Sequence, residues 1–341
     1  MKPELFNEYI SGKSILHCAI VDHKNMIFSL KEVQNDESDR RTMRERASII
    51  LSYSPERLKT QDGYGHLGWS TGHSQLYLAY NDLSEGILAC DTDFYVYESK
   101  GGSKKLLPVI PKTEQDDYTR LSQNIKVVDS EIYLIGILRK VFKRTGVFEW
   151  VDLTDPKDHP NLFDELAKHK AKRGNYLGID AGFSAIDGFS SKDLYAAGDN
   201  GDAWHYDGNT WRRLDLPGNF DIKTVTCGGD GNVYFAGYTG GVIKGTIDHW
   251  TNIDERGGKV INESAWFQGK LYLSDEQYLY TLEGDELKPY RYPKGGPQQY
   301  SFRGVAASKD ALVAYGSYQA LVFDGERWEE VIGTPALSGD G

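Results

Sequence analysis

The segment from Lys192 to Ile253 repeats itself, and this repeat constrains the fold more than any other feature of the chain. The first copy reads K-D-L-Y-A-A-G-D-N-G-D-A-W-H-Y-D-G-N-T-W-R-R-L, and the second reads G-N-V-Y-F-A-G-Y-T-G-G-V-I-K-G-T-I-D-H-W-T-N-I. Tyr195 and Trp211 of the first copy recur 39 residues later as Tyr234 and Trp250. Both copies alternate apolar and polar residues in short runs separated by turn residues, which is the pattern of β-strands. A period of this length is typical of one blade of a β-propeller.

Along the whole chain this period predicts an all-β fold, a single β-propeller domain over residues 1–341. Seven blades match best, and six is the alternative count because the first two units are irregular. The expected blades cover residues 14–60, 66–110, 119–155, 177–217, 220–254, 260–293 and 299–333. We name the four strands of a blade a to d in chain order.

The two irregular units and the chain ends leave the strand assignment open in places. We assign strand d of the first blade to Arg57–Thr60 and strand b of the second blade to Leu76–Tyr80. Both chain ends then supply complete blades, so no strand is left to close the ring. Either the assignment is off by one strand near the N-terminus, or closure rests on side-chain packing alone.

One segment, residues 160–173, departs from the strand pattern. It has a proline at its start, acidic residues in its first half, basic residues in its last turn and Gly174 after it, which are the signals of a helix. Leu162, Phe163 and Leu166 share one face. We expect one short amphipathic helix inserted between two blades.

Charge and composition restrict the function classes. Lys and Arg number 39 against 50 Asp and Glu, so the net charge is −11 at pH 7. An acidic surface repels nucleic acid phosphates and attracts a basic protein. The N-terminal residues lack the apolar run of a secretory signal, no stretch approaches the roughly 18 apolar residues of a membrane span, and the 3 cysteines are too few and too far apart for a disulfide framework or zinc site. We expect a cytoplasmic protein with no cofactor, no metal and no membrane contact.

The motif D-G-x-x-W occurs twice, at Asp207–Trp211 and at Asp324–Trp328. These stretches resemble the c–d turns of Asp-box and kelch-like propellers, the type of blade found in sialidases and in the photosystem assembly factor. Other residues replace the serine that usually opens an Asp box. The resemblance implies that the Asp and Gly shape the turn while the Trp packs between blades. In such families the turn is structural and lies on the face away from the sialidase active site.

The long connections are unevenly distributed. In a propeller the b–c and d–a connections emerge on one face, and the a–b and c–d turns emerge on the other. Three long irregular segments fall on the b–c and d–a side: Lys31–Arg46, Asn81–Asp93 and Pro156–Asn175. Repeat folds tend to carry insertions on their binding face, so this face is our candidate interaction surface, with neutral loop drift as the alternative.

The sequence has no H-E-x-x-H, and its match to G-x-S-x-G at residues 68–72 lies in a predicted β-blade without the following helix that a nucleophile elbow requires. We therefore predict a non-enzymatic propeller that binds another protein, a basic one, with its insertion-rich face. In charge and class the chain resembles the cytoplasmic immunity proteins with which bacteria neutralise toxins. The candidate partner-binding residues are Asp82, Glu85, Asp91, Asp199, Asp202, Tyr238, Asp254, Glu255, Asp275, Glu276 and Tyr318.

The alternative is a glycan-binding or glycoside-hydrolase propeller with a site in a central pocket of the same face. Aromatic side chains stack on sugar rings, and the candidates are Trp69, Tyr238, Tyr300, Phe302 and Tyr318. Hydrolysis would require two carboxylates facing each other about 5–10 Å apart.

Overall fold

The computed structural model describes residues 1–33, 48–58, 62–69, 75–81, 86–92, 94–100, 103–108, 122–147, 149–154, 182–238, 241–253, 259–290 and 301–333. They form seven four-stranded sheets, each with its strands in chain order. This is the arrangement of a seven-bladed β-propeller, so the predicted all-β class and the count of seven are confirmed. Among the described residues no helix is long and apolar enough to span a membrane.

A short helix and three blades make up the first part of the chain. The helix is α1 (Pro3–Tyr9). The strands of the first blade are β1 (Lys13–Asp22), β2 (Asn25–Glu32), β3 (Ser48–Tyr53) and β4 (Tyr64–Trp69). Those of the second blade are β5 (Leu76–Asn81), β6 (Gly86–Asp91), β7 (Tyr95–Lys100) and β8 (Ser103–Pro108), and those of the third are β9 (Ser122–Val128), β10 (Glu131–Gly136), β11 (Val141–Gly146) and β12 (Glu149–Asp152).

Four further blades follow. The fourth has β13 (Ala185–Ser190), β14 (Asp193–Ala197), β15 (Ala203–Tyr206) and β16 (Trp211–Arg213), and the fifth has β17 (Ile222–Cys227), β18 (Val233–Gly237), β19 (Val242–Thr246) and β20 (His249–Ile253). The sixth has β21 (Glu263–Phe267), β22 (Lys270–Ser274), β23 (Leu279–Glu283) and β24 (Glu286–Pro289). The seventh has β25 (Gly304–Ala307), β26 (Leu312–Tyr315), β27 (Ala320–Phe323) and β28 (Trp328–Ile332).

Strand assignments in the first two blades were wrong in two places. Strand d of the first blade is β4, not Arg57–Thr60, because the chain turns after Ser54, where the Leu58 amide donates to the Ser54 carbonyl at 2.9 Å, and β3 pairs with residues from Tyr64 onward. In the second blade Leu76–Tyr80 belongs to strand a, since β6 follows it as strand b. Within the segment Asn81–Asp93, which was expected to be an inserted loop, residues 86–91 therefore form a largely buried strand.

The helix expected at residues 160–173 lies outside the described residues. Helix α1, which the sequence analysis did not predict, lies at the N-terminus, and its Tyr9 is buried. Tyr9 and the following Ile10 belong to one apolar cluster with residues of the first and seventh blades.

The first and seventh blades pack directly on each other without exchanging a strand. The Ile15 amide on β1 donates to the Ser317 carbonyl at 2.8 Å, and the buried Tyr64 hydroxyl on β4 donates to the Val331 carbonyl on β28. Between these contacts lies a buried cluster that includes Phe28 and Val313. The assignment was off by one strand in the second blade, and closure joins two complete blades through apolar packing and these hydrogen bonds.

The chain divides into two compact units, the first comprising residues 1–80, 263–283 and 287–341, and the second residues 81–262 and 284–286. In the second unit the fourth blade is covered on both faces. Trp211 lies in a buried cluster with residues of the third blade, and its indole nitrogen donates to the Leu153 carbonyl at 3.1 Å. Tyr195 on the same blade lies in a second cluster with Val225 of the fifth blade.

The D-G-x-x-W turns have the structural role that their resemblance implied. Asp207 Oδ1 accepts hydrogen bonds from the amides of Asn209 and Thr210, each at 2.8 Å, and these bonds lower the pKa of the Asp207 carboxyl. Gly208 has a φ of 95°, a backbone conformation that glycine adopts without steric cost. Asp324 makes the same pair of bonds in the seventh blade.

Candidate protein-binding site

In the second unit the b–c turns of the third and fourth blades meet the edge of the fifth. We call this the turn cluster and define it as Leu138–Arg139, Asp199–Asp202, Asp221–Lys223 and Tyr238. It contains three of the predicted partner-binding residues, Asp199, Asp202 and Tyr238. The turn cluster lies on the b–c side of its blades, which is the side selected from the sequence.

The turn of the third blade places Arg139 in an unusual backbone conformation. Leu138 and Arg139 have φ values of 58° and 56°, in the left-handed region that non-glycine residues seldom adopt. The Lys140 amide donates to the Ile137 carbonyl at 3.3 Å, which closes a tight two-residue turn. Strain of this kind persists where the surrounding contacts fix the residue, and the Arg139 side chain makes such contacts.

Arg139 forms a buried ion pair with Asp202 of the fourth blade. Its Nε and Nη2 atoms donate to Asp202 Oδ2 and Oδ1 at 2.7 and 2.9 Å, and both residues are less than 10% exposed, at 7% and 5%. The Trp204 indole nitrogen donates to Asp202 Oδ1 at 2.8 Å, and the Arg139 guanidinium lies 4.8 Å from the Trp204 ring centroid. The bidentate pair therefore fixes the two b–c turns relative to each other.

The exposed part of the turn cluster lies above this pair. Asp199 Oδ1 is 2.8 Å from the Lys223 ammonium, which lies 5.0 Å from the centroid of the Tyr238 ring. The Asn200 amide donates to Asp221 Oδ1 at 2.9 Å, and the Tyr238 amide donates to the Asp221 carbonyl oxygen at 2.9 Å. Asp221 thus holds both the turn that carries Asp199 and the strand end that carries Tyr238.

The charges within the turn cluster do not balance. Arg139 and Asp202 neutralise each other, whereas two carboxylates, Asp199 and Asp221, accompany the single ammonium of Lys223. The half-exposed carboxylate and the tyrosine ring form a surface suited to cationic groups of a partner. No group of three metal-ligating side chains occurs among the described residues.

The first unit presents a second set of predicted residues on the b–c turns of its sixth and seventh blades. Asp275 shapes its own turn, because Oδ1 accepts from the Gln277 amide at 2.6 Å and Oδ2 from the Tyr280 hydroxyl at 2.8 Å. Burial, together with this hydrogen bond, raises the pKa of Tyr280. Glu276 is exposed on the same turn, and Tyr318 is 40% exposed on the turn of the seventh blade.

Burial removes two predicted residues from the set of direct contacts. Asp91 was expected on a loop, but it ends strand β6 with 1% exposure and accepts a hydrogen bond from the Tyr95 amide at 2.9 Å. The buried Asp202 carboxylate is bound by the Arg139 guanidinium and the Trp204 indole, so it positions its turn and does not contact a partner directly. The predicted residues Asp82, Glu85, Asp254 and Glu255 lie outside the described residues, as do the inserted segments at 34–47 and 155–181.

The aromatic residues proposed for glycan stacking differ in exposure within the described part of the chain. Phe302 is 2% exposed and packs in the core of the sixth and seventh blades, so its ring faces cannot stack on a sugar. Tyr300 and the side chain of Trp69 lie outside the described part of the chain. Tyr238 and Tyr318 remain exposed, in different units.

Three residues of the candidate surfaces were missed from the sequence. Arg139 and Lys223 are basic, whereas the predicted contacts are acidic or aromatic; each of these basic residues pairs with one of the predicted aspartates. Tyr278 is 55% exposed on the b–c turn of the sixth blade. Its position on the same turn as the predicted Asp275 and Glu276 indicates from sequence that it belongs to the candidate surface.

No family model matches the chain. A curated protein, Immune protein Tsi7 of Pseudomonas aeruginosa, is 29% identical over 214 residues. The match covers 61% of this chain and 63% of that protein, so the chain spans less than two thirds of the relative's length.

Solved structures with the same fold include virginiamycin B lyase of Staphylococcus aureus in a complex with quinupristin. It is 10% identical, with a TM-score of 0.60, over 90% of this chain and 93% of that one. The structure of YCF48 bound to D1 peptide is 12% identical, with a TM-score of 0.50, over 75% and 80% of the two chains. At these identities the likeness is one of fold alone.

The buried ion pair leads to a stability prediction. Replacing Arg139 with methionine keeps the aliphatic stem but leaves the Asp202 carboxylate buried without its counter-charge, so we expect a loss of about 3 kcal/mol in the free energy of unfolding. The matched control is Lys140→Met in the same turn, which breaks the half-exposed pair with Asp152 and should cost less than about 1 kcal/mol. Chemical denaturation of both variants measures the difference, and equal small losses would contradict the structural role of Arg139.

Proposed function

We propose that this chain is an immunity protein, a non-enzymatic β-propeller that binds a protein toxin and blocks its action. The observation that carries the proposal is the 29% identity to Immune protein Tsi7 over 214 residues. This relative supports the prediction made from charge and fold class. The partner, the contact residues and action in the cytoplasm are parts of the proposal.

The charge of the chain supports a basic partner. At a net charge of −11, long-range attraction would accelerate encounter with a cationic protein and retard encounter with other acidic proteins. A toxin that cleaves nucleic acid must hold phosphates, so its active-site cleft carries positive charge of the kind that this surface would attract.

The proposed contacts are on the b–c side of the blades. Among the described residues they comprise Asp199 and Tyr238 in the second unit, and Glu276, Tyr278 and Tyr318 in the first. Tyrosines are frequent in protein interfaces because each buries a large area while ordering few rotatable bonds. Asp254 and Glu255, which follow strand d of the fifth blade, remain proposed contacts. Asp82 and Glu85 do not, because they connect strands a and b of the second blade and such connections belong to the opposite side.

A growth experiment tests the function. Co-expression of the chain with the toxin encoded beside its gene should restore growth of a sensitive bacterium to the rate seen with an inactive toxin, because the bound toxin cannot reach its substrate. The control is the same chain carrying Arg139→Met, which should rescue less well if the turn cluster is destabilised. Growth arrest despite full accumulation of the soluble wild-type chain would contradict the proposal.

The electrostatic contribution is tested by charge reversal. Glu276→Lys should slow association with the toxin by roughly two- to tenfold at low salt, and the difference should shrink at high salt because added ions screen the attraction. Stopped-flow measurement of the association rate at low and high salt tests this expectation.

Glu326→Lys is the matched control for this reversal. Glu326 is exposed on the c–d turn of the seventh blade, so the same change of net charge is placed at the other end of the sheets. We expect a smaller effect for Glu326→Lys. Equal slowing by both variants would show that net charge alone matters and that the b–c side is not the contact surface.

A further inference from the structure

We propose that Asp199 and Tyr238 form a cation-binding site that Lys223 occupies in the free protein and that an arginine or lysine of the toxin occupies in the complex. Lys223 would then act as an internal competitor whose displacement accompanies binding. This inference rests on the proposed function, and it specifies the chemistry of one contact.

The free protein already shows the site holding a cation. The Lys223 ammonium lies between a carboxylate oxygen at 2.8 Å and an aromatic ring whose centroid is 5.0 Å away. These are the two groups that bind ammonium and guanidinium ions at protein surfaces. Asp199 and Tyr238 remain about two fifths exposed, at 43% and 41%, so a second molecule can reach both.

The accepting groups are fixed, whereas the cation is tethered flexibly. Asp221 holds the Asn200 amide through its carboxylate and the Tyr238 amide through its carbonyl oxygen. The buried pair of Arg139 and Asp202 fixes the same turn from below. Lys223, by contrast, reaches the site through a flexible four-carbon chain. Its ion pair with Asp199 is partly exposed, so water competes with Asp199 for the ammonium.

An arginine from the partner would fit the site better than the resident lysine. A planar guanidinium can donate two hydrogen bonds to one carboxylate while stacking on a tyrosine ring, whereas an ammonium is a single point of charge. The second carboxylate of the turn cluster, Asp221, leaves net negative charge beside the site even with Lys223 present. A basic interface therefore has an electrostatic reason to insert a cation here.

The first experiment measures binding of a hexa-arginine peptide by fluorescence anisotropy at low salt. Lys223→Met vacates the site and should bind the peptide about five- to tenfold more tightly than the wild type, by roughly the discrimination that one charged contact gives. The double variant Lys223→Met with Tyr238→Leu should lose most of that gain.

Lys244→Met supplies the matched control. The Lys244 ammonium lies 5.8 Å from the Tyr234 ring on the same blade, so this change removes the same charge from a similar setting outside the turn cluster. We expect it to strengthen peptide binding less than twofold. Equal gains for Lys223→Met and Lys244→Met would overturn the inference, since they would reflect net charge only. Thermal denaturation checks that all variants are folded.

The second experiment repeats the comparison with the toxin. If Lys223 competes for the site, Lys223→Met should dissociate from the toxin more slowly than the wild type, and Asp199→Asn should dissociate faster. Faster dissociation of Lys223→Met would overturn the inference, because it would make Lys223 itself a contact. Failure of the wild-type chain to bind the toxin would instead refute the proposed function, and the peptide result would still decide the cation site.

Discussion

A four-stranded sheet has two faces, and in this chain each face must be covered by a neighbouring sheet. The described apolar clusters join the third blade to the fourth, the fourth to the fifth, the sixth to the seventh, and the seventh to the first. The contact between the seventh and first blades has no covalent or strand-exchange support, because each of these sheets is built from consecutive strands of one chain end. Apolar packing holds the terminal blades together, along with hydrogen bonds from the Tyr64 hydroxyl to the Val331 carbonyl and from the Ile15 amide to the Ser317 carbonyl.

This constraint separates residues that build the blades from those available for function. Apolar side chains of the strands pack between neighbouring blades. Many turn aspartates accept hydrogen bonds from amides of their own turns, as Asp207 and Asp324 do. Asp199 and Glu276 are different because neither carboxylate caps its turn in the described structure. An acidic residue on a b–c turn is therefore a candidate contact where its carboxylate does not accept hydrogen bonds from its own turn.

The fold was predictable where the blade pattern is regular and not where it is interrupted. The 39-residue repeat located the fourth and fifth blades, and from them the count of seven. It misplaced strands in the second blade because β6, with the sequence G-I-L-A-C-D, lacks the Y-x-x-G element that marks strand b in the third, fourth and fifth blades. In the first blade, β4 begins at Tyr64, later in the chain than the pattern predicted, because the chain turns after Ser54.

The sequence predicted which side of the blades carries the candidate site, but not the contacts between its residues. Sequence reasoning selected Asp199, Asp202 and Tyr238 by their positions on b–c turns, and the structure brings them into one cluster. It did not reveal that Asp202 is buried against Arg139, because these residues are 63 positions apart and only the packing of two blades joins them. Asp91 was misjudged for the related reason that a strand had been taken for a loop.

Hydrogen–deuterium exchange of the free chain and of the chain saturated with toxin tests the central claim most directly. If the b–c side binds the toxin, the amides of residues 199–202 and of Tyr238 should exchange more slowly in the complex. The amides of the c–d turns, including residues 207–210 in the fourth blade, should be unchanged. Protection confined to the c–d turns, with none in the turn cluster, would contradict the account.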